Sequence, residues 1–271
     1  MSDMFLMGNE AIGLGAIRAG VSFVSGYPGT PSTEVLETVA KHNDGSIHVE
    51  WSVNEKAAME AAAAAAYSGA RSMVTMKQVG LNVATDPLMS LAYIGVKGGM
   101  VVMVADDPGP ISSQTEQDSR TFAMYSKLPV FDPSSVEEAY EMIADAFQYS
   151  EKYKTPVLFR PTTRVCHGVS AVTELEKINI APAEGFIKDS SKWVIFPRLS
   201  FANHKMIEER NPKIGEDFSS YKFNKISGKG KKGIITGGIN YEYVCEALEG
   251  REDIKIFKVS TPFPFPEKQA L

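Results

Sequence analysis

The segment Ile47–Thr75, IHVEWSVNEKAAMEAAAAAAYSGARSMVT, decides the fold of this chain. Its two ends, Ile47–Trp51 and Ser72–Thr75, are short and contain β-branched residues, which predicts two buried strands. The run Ala57–Ala66 between them is mostly alanine and predicts a helix that neighbouring backbones can approach closely. Gly69 suits the end of this helix. The segment therefore predicts a strand–helix–strand unit.

Glu55 lies at the start of the predicted helix and has two interpretations. In the first, Ser52-Val53-Asn54-Glu55 is a capping box, in which the glutamate satisfies the backbone N–H of the serine. In the second, the carboxyl group is held in a poorly hydrated site, where desolvation raises its pKa and makes it available for proton transfer. The two interpretations are distinguished by the other sequence patterns in the chain.

Length and composition exclude several classes of protein. The 271 residues accommodate one large or two modest domains, and the 44% of hydrophobic residues supply a core. A net charge of -5 and a pI near 5.5 argue against nucleic acid as the main partner. No apolar run approaches the ~20 residues that span a bilayer, and Met1–Leu6 lacks the features of a secretion signal. The two cysteines, Cys166 and Cys245, exclude a disulfide framework or a cysteine-ligated iron–sulfur cluster within this chain. We expect a soluble, cytoplasmic protein without a membrane partner.

The same alternation of strands and helices continues along the chain. Further strands are predicted at Val21–Val24, Met100–Ala105, Leu128–Phe131 and Pro156–Arg160, and helices at Pro31–His42, Leu81–Val96 and from Ser134 to about Lys152. Strands that are apolar on both faces and alternate with helices predict an α/β fold with a doubly wound parallel sheet. We expect about six strands, helices on both faces, and the strand before Trp51 inside the sheet.

Three regions follow from these patterns. Residues 1–178 form the predicted first domain. Residues 179–231 are rich in proline, lysine and glycine with little periodicity, which predicts a linker or irregular segment. Residues 232–271 begin a second strand–helix–strand unit. Because two strands cannot bury both of their faces, we expect this second α/β domain to be truncated, in a fragment or in a chain that needs a partner.

Several possible sites are set aside. Gly13-Leu14-Gly15 with Gly20 has the wrong spacing and position for a dinucleotide fingerprint. The four histidines lack the spacing of metal ligands, so no metal site is predicted. Cys166 is interpreted as a buried structural thiol.

The loops after the predicted strands are the stronger candidates. Open parallel sheets bind ligands at the carboxyl ends of their strands. The loops Gly26–Ser32, Met76–Gly80 and Asp106–Asp118 lie there, and Glu55 follows a further strand at the same edge. This convergence favours a functional role for Glu55.

The residues of four blocks resemble the family of indolepyruvate ferredoxin oxidoreductase α subunits, thiamine diphosphate enzymes of the 2-oxoacid ferredoxin oxidoreductase superfamily. The blocks are Gly26–Ser32 (GYPGTPS), Trp51–Ala58 (WSVNEKAA), Met76–Asn82 (MKQVGLN) and Asp106–Arg120 (DDPGPISSQTEQDSR). The resemblance covers essentially the whole predicted first domain, and implies that it is the pyrimidine-binding domain of the thiamine diphosphate-binding fold.

The resemblance also implies roles for individual residues. Glu55 would be catalytic and would bond N1′ of the aminopyrimidine, a task for a carboxyl group shielded from water. Thr30 would contact the substrate carboxylate, and it also suits the N-cap of a helix with Pro31 at its first position. Arg120, with Gln114, Gln117 and Asp118, would line either the substrate entrance or a subunit contact, and both alternatives stay open. The implied site residues are Glu55 (catalytic), Thr30 and Arg120 (substrate), and Tyr27, Pro28, Glu55, Gln78 and Gly80 (cofactor).

The implied reaction is the oxidative decarboxylation of arylpyruvates with coenzyme A and transfer of electrons to ferredoxin. The family's Gly-Asp-Gly magnesium motif and its cysteine-rich region do not occur in this sequence. Mg²⁺ and 4Fe–4S clusters are therefore expected in parts of the enzyme outside this chain, which alone would be inactive. The expected partners are a β subunit, the remaining α-subunit domains and ferredoxin, in an oligomer. The alternatives are a subunit of another thiamine-dependent 2-oxoacid decarboxylase or transferase, or a catalytically silent binding or regulatory subunit of the same fold.

Overall fold

The computed structural model of the chain describes residues 3–251 and 253–270. Met1 and Ser2, part of the segment considered as a secretion signal, lie outside the described residues, as does Leu271, where truncation was expected. The first part of the chain contains β1 (Asp3–Met7), α1 (Gly8–Arg18), β2 (Phe23–Gly26), α2 (Thr33–Lys41), β3 (His48–Trp51), α3 (Glu55–Tyr67), β4 (Ser72–Lys77), α4 (Gln78–Ile94), β5 (Met100–Ala105), α5 (Ser119–Ser126), β6 (Val130–Phe131), α6 (Val136–Tyr153), β7 (Val157–Phe159), α7 (Thr163–Cys166) and β8 (Val169–Thr173). The remainder contains α8 (Ser190–Trp193), α9 (Pro197–Phe218), β9 (Lys225–Ser227), β10 (Lys232–Thr236), α10 (Asn240–Ala247), β11 (Ile254–Lys258) and α11 (Glu267–Ala270).

The main sheet is parallel and has six strands in the order β3-β2-β4-β5-β7-β6. Its side chains alternate between two apolar cores. Val101 and Met103 of β5 pack with α1, α2 and α6, whereas Val102 and Val104 pack with α3 and α4 on the other face. The predicted doubly wound α/β sheet is confirmed. A separate antiparallel pair, β1 with β8, was not predicted.

The strand before Trp51 lies at the edge of the sheet, so the prediction of an interior position is wrong. β3 pairs only with β2 among the described strands, and Trp51 is 40% exposed. His48 and Glu50 point to the same side and form a 2.8 Å contact between Nε2 and Oε2. Charged side chains at alternating positions are typical of edge strands, so the sequence did carry the signal that distinguishes this strand from an interior one.

The alanine-rich helix α3 packs as its composition predicts. Ala58, Ala62 and Ala66 are fully buried, and their small side chains admit β2 so closely that the Ser25 hydroxyl donates to the carbonyl of Ala58 at 2.7 Å. The helix ends at Tyr67, and Gly69 follows with a φ of +90°, a conformation suited to glycine.

Residues 179–231 are not irregular throughout, because they contain the 22-residue helix α9. Its buried positions are Ile207, Arg210, Ile214, Gly215 and Phe218. An arginine at a buried position interrupts the apolar period, and Pro212 lies within the helix. Both features conceal a helix from a reading based on apolar spacing and helix breakers.

The last part of the chain forms a three-stranded sheet in the order β10-β11-β9, with β9 antiparallel. The predicted strand–helix–strand unit is confirmed. It contacts the first part through the buried Lys258 ammonium group, which bonds Glu138 and the Ser134 hydroxyl. Next to it, the N–H of Asp132 donates to the carbonyl of Ser260 at 2.8 Å. None of the described helices has the length and apolar character needed to cross a membrane.

Candidate functional site

The segments at the carboxyl ends of β2, β4 and β5 lie together. The prediction that Met76–Gly80 is a loop is wrong, because β4 extends to Lys77 and α4 begins directly at Gln78, so Gln78 and Gly80 lie in the first turn of a helix. The Ser112 hydroxyl contacts the carbonyl of Thr30 at 3.4 Å, and Nε2 of Gln78 donates to the carbonyl of Thr115 at 3.1 Å. Gly29 lies against the aliphatic part of Lys77, where an added methyl group would be 3.2 Å from Cγ. The convergence predicted from the sequence is therefore present.

Glu55 is free of the capping role that one interpretation assigned to it. Helix α3 begins at Glu55, and Asn54 is its N-cap, with a side-chain oxygen that accepts the N–H of Ala57 at 2.9 Å. Ser52 instead donates its hydroxyl to Glu50 at 3.1 Å. The capping-box interpretation is wrong because asparagine, which favours the N-cap as strongly as serine, starts the helix two residues later.

The Glu55 carboxyl group lies against Gly80 at the start of α4. A methyl group added to Gly80 would be 2.5 Å from Oε1 of Glu55, so only glycine leaves room for this approach. The Glu55 side chain is half-buried. Within residues 3–251 and 253–270 its carboxylate accepts no hydrogen bond, which leaves its lone pairs available to a ligand.

Gln78, the first residue of α4 and two residues before Gly80, is fully buried. Its amide nitrogen holds the Asp106–Asp118 loop through Thr115, while its Oε1 is buried without a partner in the described structure. A buried acceptor without a donor is unfavourable by about 1–3 kcal/mol. The Gln78 carbonyl is thus a second polar atom at this edge that an incoming ligand could satisfy.

The Gly26–Ser32 loop presents three of its side chains to solvent, while Pro31 and Ser32 are buried. Tyr27 is 41% exposed, and Pro28 and Thr30 are also exposed. The prediction that Thr30 caps a helix is wrong: α2 begins at Thr33 with Ser32 as N-cap. The N–H and the hydroxyl of Ser32 both bond the carbonyl of Gly29 at 2.8 Å, so a turn precedes the helix.

Arg120 is held in place at the first turn of α5. Its Nε and Nη2 bond the two carboxylate oxygens of Asp118 at 2.8 and 2.7 Å, and its Nη1 lies 3.6 Å from Asp132. Burial favours a higher pKa for Asp118, but the hydrogen bond from Arg120 and the charges of Arg160 and Arg120 outweigh it and hold the pKa below its ordinary value. The guanidinium group therefore has a fixed orientation near the loop edge.

A row of buried charges that sequence reasoning missed supports this arrangement. Asp106, Arg160 and Asp132 directly follow the adjacent strands β5, β7 and β6. Nε of Arg160 lies 2.6 Å from Asp106, and its Nη1 lies 3.3 Å from Asp132. Burial raises the pKa of Asp132, although the positive charges of Arg160 and Arg120 oppose this shift. The signal in the sequence was a charged residue at the end of each of three apolar strands.

Asp107 organises the long loop that follows β5. Its Oδ2 accepts the N–H groups of Ile111, Ser112 and Ser113 at 3.0, 2.9 and 3.1 Å, and its Oδ1 accepts the Thr163 hydroxyl at 2.7 Å. Burial acts to raise the pKa of Asp107, but these hydrogen bonds outweigh it, so the pKa lies below its ordinary value.

Comparison with known proteins agrees with this geometry. The family described as "Pyruvate flavodoxin/ferredoxin oxidoreductase, thiamine diP-bdg" matches residues 14–192. The indolepyruvate oxidoreductase subunit IorA of Thermococcus kodakarensis is 46% identical over 273 residues, which cover 97% of this chain and 42% of that protein. The IorA subunit of Pyrococcus abyssi is 42% identical, with coverage of 97% of this chain and 42% of that protein. The chain thus spans less than half of the length of these relatives.

A solved structure shares the fold. A chain of the 2-oxoglutarate:ferredoxin oxidoreductase from Magnetococcus marinus, with 2-oxoglutarate, coenzyme A and succinyl-CoA bound, superimposes with a TM-score of 0.78. The match covers 99% of this chain and 56% of that chain at 21% sequence identity. Since the family match extends over more than half of the sequence, this chain belongs to the thiamine diphosphate-binding family of pyruvate flavodoxin/ferredoxin oxidoreductases.

Proposed function

We propose that this chain supplies the aminopyrimidine-binding half of the thiamine diphosphate site in an enzyme that oxidatively decarboxylates arylpyruvates, indolepyruvate among them. The enzyme uses coenzyme A and transfers the electrons to ferredoxin. The observation that carries the proposal is the Glu55 carboxylate, which is not used by the helix cap and lies against Gly80 at the ligand-binding edge of the sheet. The chain as a whole is 46% and 42% identical to two subunits named for indolepyruvate, which supports this substrate class.

The residues present fit the pyrimidine end of the cofactor. An aminopyrimidine ring offers a ring nitrogen and an amino group, which need an acceptor or proton-exchanging carboxyl group and further hydrogen-bond acceptors. Glu55 supplies the first, and the unpartnered Oε1 of Gln78 supplies an acceptor. Gly80 leaves the approach open, while Tyr27 and Pro28 present exposed surface that a flat ring could cover.

When bound, thiamine diphosphate supplies a nucleophilic carbon and accepts the electron pair released by decarboxylation. With the cofactor bound, the Glu55 carboxyl group would hold a proton and would exchange it with the pyrimidine N1′. This task requires a fixed carboxyl group from which water is excluded. The start of α3 and Gly80 fix its position, and the exposed loop residues exclude water once a partner surface covers them.

Thr30 and Arg120 are the proposed contacts for the substrate carboxylate. The Thr30 hydroxyl is exposed and does not cap a helix, and the Arg120 guanidinium is oriented by Asp118. Arg120 retains the alternative role of a subunit contact. The effect of substituting each residue should therefore be measured both on substrate affinity and on assembly of the complex.

The rest of the active site lies outside this chain in our proposal. Mg²⁺, the diphosphate contacts and the 4Fe–4S clusters belong to a β subunit and to the remaining α-subunit domains, with ferredoxin as acceptor and the whole assembly oligomeric and cytoplasmic. Residues 1–178 are the pyrimidine-binding domain, and residues 232–271 are the start of the next. The free Cys166 and Cys245 agree with a reducing compartment.

The test is reconstitution. The chain is joined to the remaining α-subunit domains of an indolepyruvate oxidoreductase and combined with the β subunit, thiamine diphosphate, Mg²⁺ and coenzyme A. Reduction of ferredoxin is then followed with indolepyruvate, phenylpyruvate and 2-oxoglutarate. Indolepyruvate should give the highest kcat/KM. A preference for 2-oxoglutarate, or decarboxylation that does not reduce ferredoxin, would refute the proposed activity.

A further inference from the structure

A cavity of about 490 Å³ lies at the amino ends of β5 and β7. The carboxyl ends of α4 and α6, together with α8 and α9, form its walls. A strand of six residues spans about 20 Å, so the sheet separates this cavity from Glu55 at the opposite edge. The cavity therefore has no part in the site described above.

The cavity is strongly cationic in a chain whose net charge is -5. Its charged lining residues are Lys152, Lys154, Lys192, Arg210, Lys213 and Glu209. Lys152 pairs with Asp217, while Lys154 and Lys213 have no carboxylate partner in the described parts of the chain. The remaining walls include apolar side chains, Ile94 and Leu199 among them. Such a surface suits a ligand that is anionic at one end and apolar at the other.

Arg210 is the decisive residue, because its charge is buried and unpaired. Its side chain belongs to α9 and the residue is 7% exposed. Its guanidinium group makes only two long hydrogen bonds, 3.3 Å to Asn211 and 3.5 Å to the carbonyl of Lys127, and no ion pair with any residue that the structure describes. Burial lowers the pKa of Arg210 to about 10. A buried charge without a partner is costly, and an anion that enters the cavity would remove this cost.

Lys192 shows the same excess of positive charge. Its Nζ lies 4.3 Å from the centroid of the Trp193 ring, over its face. Burial lowers the pKa of Lys192, and the charges of Lys154 and Lys97 lower it further. The cations of this cavity therefore repel one another in the absence of a counter-ion.

We propose that this cavity binds an organic phosphate, whose phosphoryl groups contact Arg210 and the surrounding lysines and whose apolar portion lies against the Ile94 wall. A planar guanidinium group matches phosphate oxygens in two-point contacts, and lysines add charge. The volume falls within the range of about 300–1,000 Å³ that is usual for small-molecule sites. The Glu209 carboxylate at the rim disfavours a ligand with anionic groups at both ends.

The test uses the full chain with ADP, pyrophosphate and adenosine as probes. Binding is followed by isothermal titration calorimetry and by the fluorescence of Trp193, whose contact with Lys192 changes when the ammonium group turns to a phosphate. We expect one ADP per chain, pyrophosphate at least tenfold weaker, and no saturable binding of adenosine. The absence of saturable binding for both ADP and pyrophosphate would overturn the proposal, as would adenosine that binds as tightly as ADP.

Three variants separate binding from folding. Arg210→Met keeps an unbranched apolar side chain in place of the arginine stem and removes the buried charge, so ADP should bind at least tenfold more weakly while the Tm of the free protein stays equal or rises. Lys213→Gln, at an exposed position, should weaken ADP binding about threefold. Lys205→Met removes a charge from the same helix outside the cavity and should change binding less than twofold.

Two results would contradict this account. A lower Tm for Arg210→Met together with unchanged ADP affinity would assign Arg210 a structural role only. A loss of affinity in Lys205→Met equal to that in Arg210→Met would show that ADP is attracted to α9 non-specifically.

Discussion

Replacement of Glu55 by glutamine tests the centre of the proposed site. In the reconstituted enzyme, glutamine preserves the shape of the side chain against Gly80 and can still hydrogen-bond a pyrimidine ring, but it cannot exchange a proton. General acid–base groups contribute about 10²–10⁴-fold in rate, which corresponds to ~2.7–5.5 kcal/mol of transition-state stabilisation. We expect kcat to fall by this factor, while the affinity for thiamine diphosphate changes much less.

The structure predicts that folding will be almost unaffected by this change. Glu55 occupies the first position of α3, is half-buried and accepts no hydrogen bond within residues 3–251 and 253–270. Its contribution to stability is limited to the favourable interaction of a negative charge with the helix N-terminus, about 0.3–1 kcal/mol. A chain of this size would lose roughly 1–4 °C in Tm at most. Loss of kcat without loss of Tm is therefore the expected signature.

The assay is indolepyruvate-dependent reduction of ferredoxin by the wild type, Glu55→Gln and Glu60→Gln. Glu60 lies on the same helix with an exposed side chain and serves as the matched control, for which we expect unchanged turnover. Calorimetry of thiamine diphosphate binding and thermal unfolding accompany the kinetics. Activity of Glu55→Gln within threefold of the wild type would refute proton exchange by this carboxyl group.

Three further predictions follow from contacts at the same edge. Gly80→Ala places a methyl group 2.5 Å from the Glu55 carboxylate. Calorimetry should therefore show an affinity for thiamine diphosphate that is reduced at least tenfold, with a Tm within a few degrees of the wild type. Unchanged affinity would contradict the close approach. Addition of the complementary subunit should protect residues 57–66 and 76–82 from hydrogen exchange, and the lack of protection in both segments would argue against a shared site there. Hydrogen bonds hold the pKa of Asp107 in the folded protein below its ordinary value. The Asp107 carboxylate therefore anchors the loop fully above about pH 3.9, the ordinary pKa of an aspartate. The anchorage is lost as the pH falls through the lower pKa of the folded protein. The amide NMR signals of residues 111–113 should thus titrate with a midpoint below about 3.9, whereas a midpoint at or above this value would contradict the anchorage.

The sequence predicts the parallel sheet well because apolar strands and capped helices are local features. It predicts that the segments after β2, β4 and β5 lie at one edge for the same reason, since strand direction alone brings them there. The loop expected after β4 is instead the first turn of α4. The cap of α3 was wrong because Ser52 and Asn54 both suit an N-cap, and only the packed helix selects one of them. The charge row of Asp106, Arg160 and Asp132 depends on the order of strands in the sheet, which local patterns do not specify.

Helix α9 shows a different limit of sequence reading. A helix is recognised by apolar residues at regular spacing, yet one of its buried positions holds Arg210. The residue that conceals the helix is also the one that points to a ligand. Rules based on apolar spacing fail here because Arg210 occupies a buried position at which helix packing alone would favour an apolar residue. We attribute the arginine at this position to ligand binding.

The row formed by Asp106, Arg160 and Asp132 also restricts how this protein can evolve or be redesigned. Arg160 is the shared counter-ion of two fully buried carboxylates. Its loss alone would leave Asp106 without a positive partner among the described residues and Asp132 with only the 3.6 Å contact to Arg120. The cost would be about 3–5 kcal/mol, a large part of the 5–15 kcal/mol that holds a typical domain folded. Replacement of all three by apolar residues of similar volume would cost far less. The three positions should therefore change together across lineages, and a directed-evolution library that varies them one at a time and selects for stability should be dominated by the parental residues.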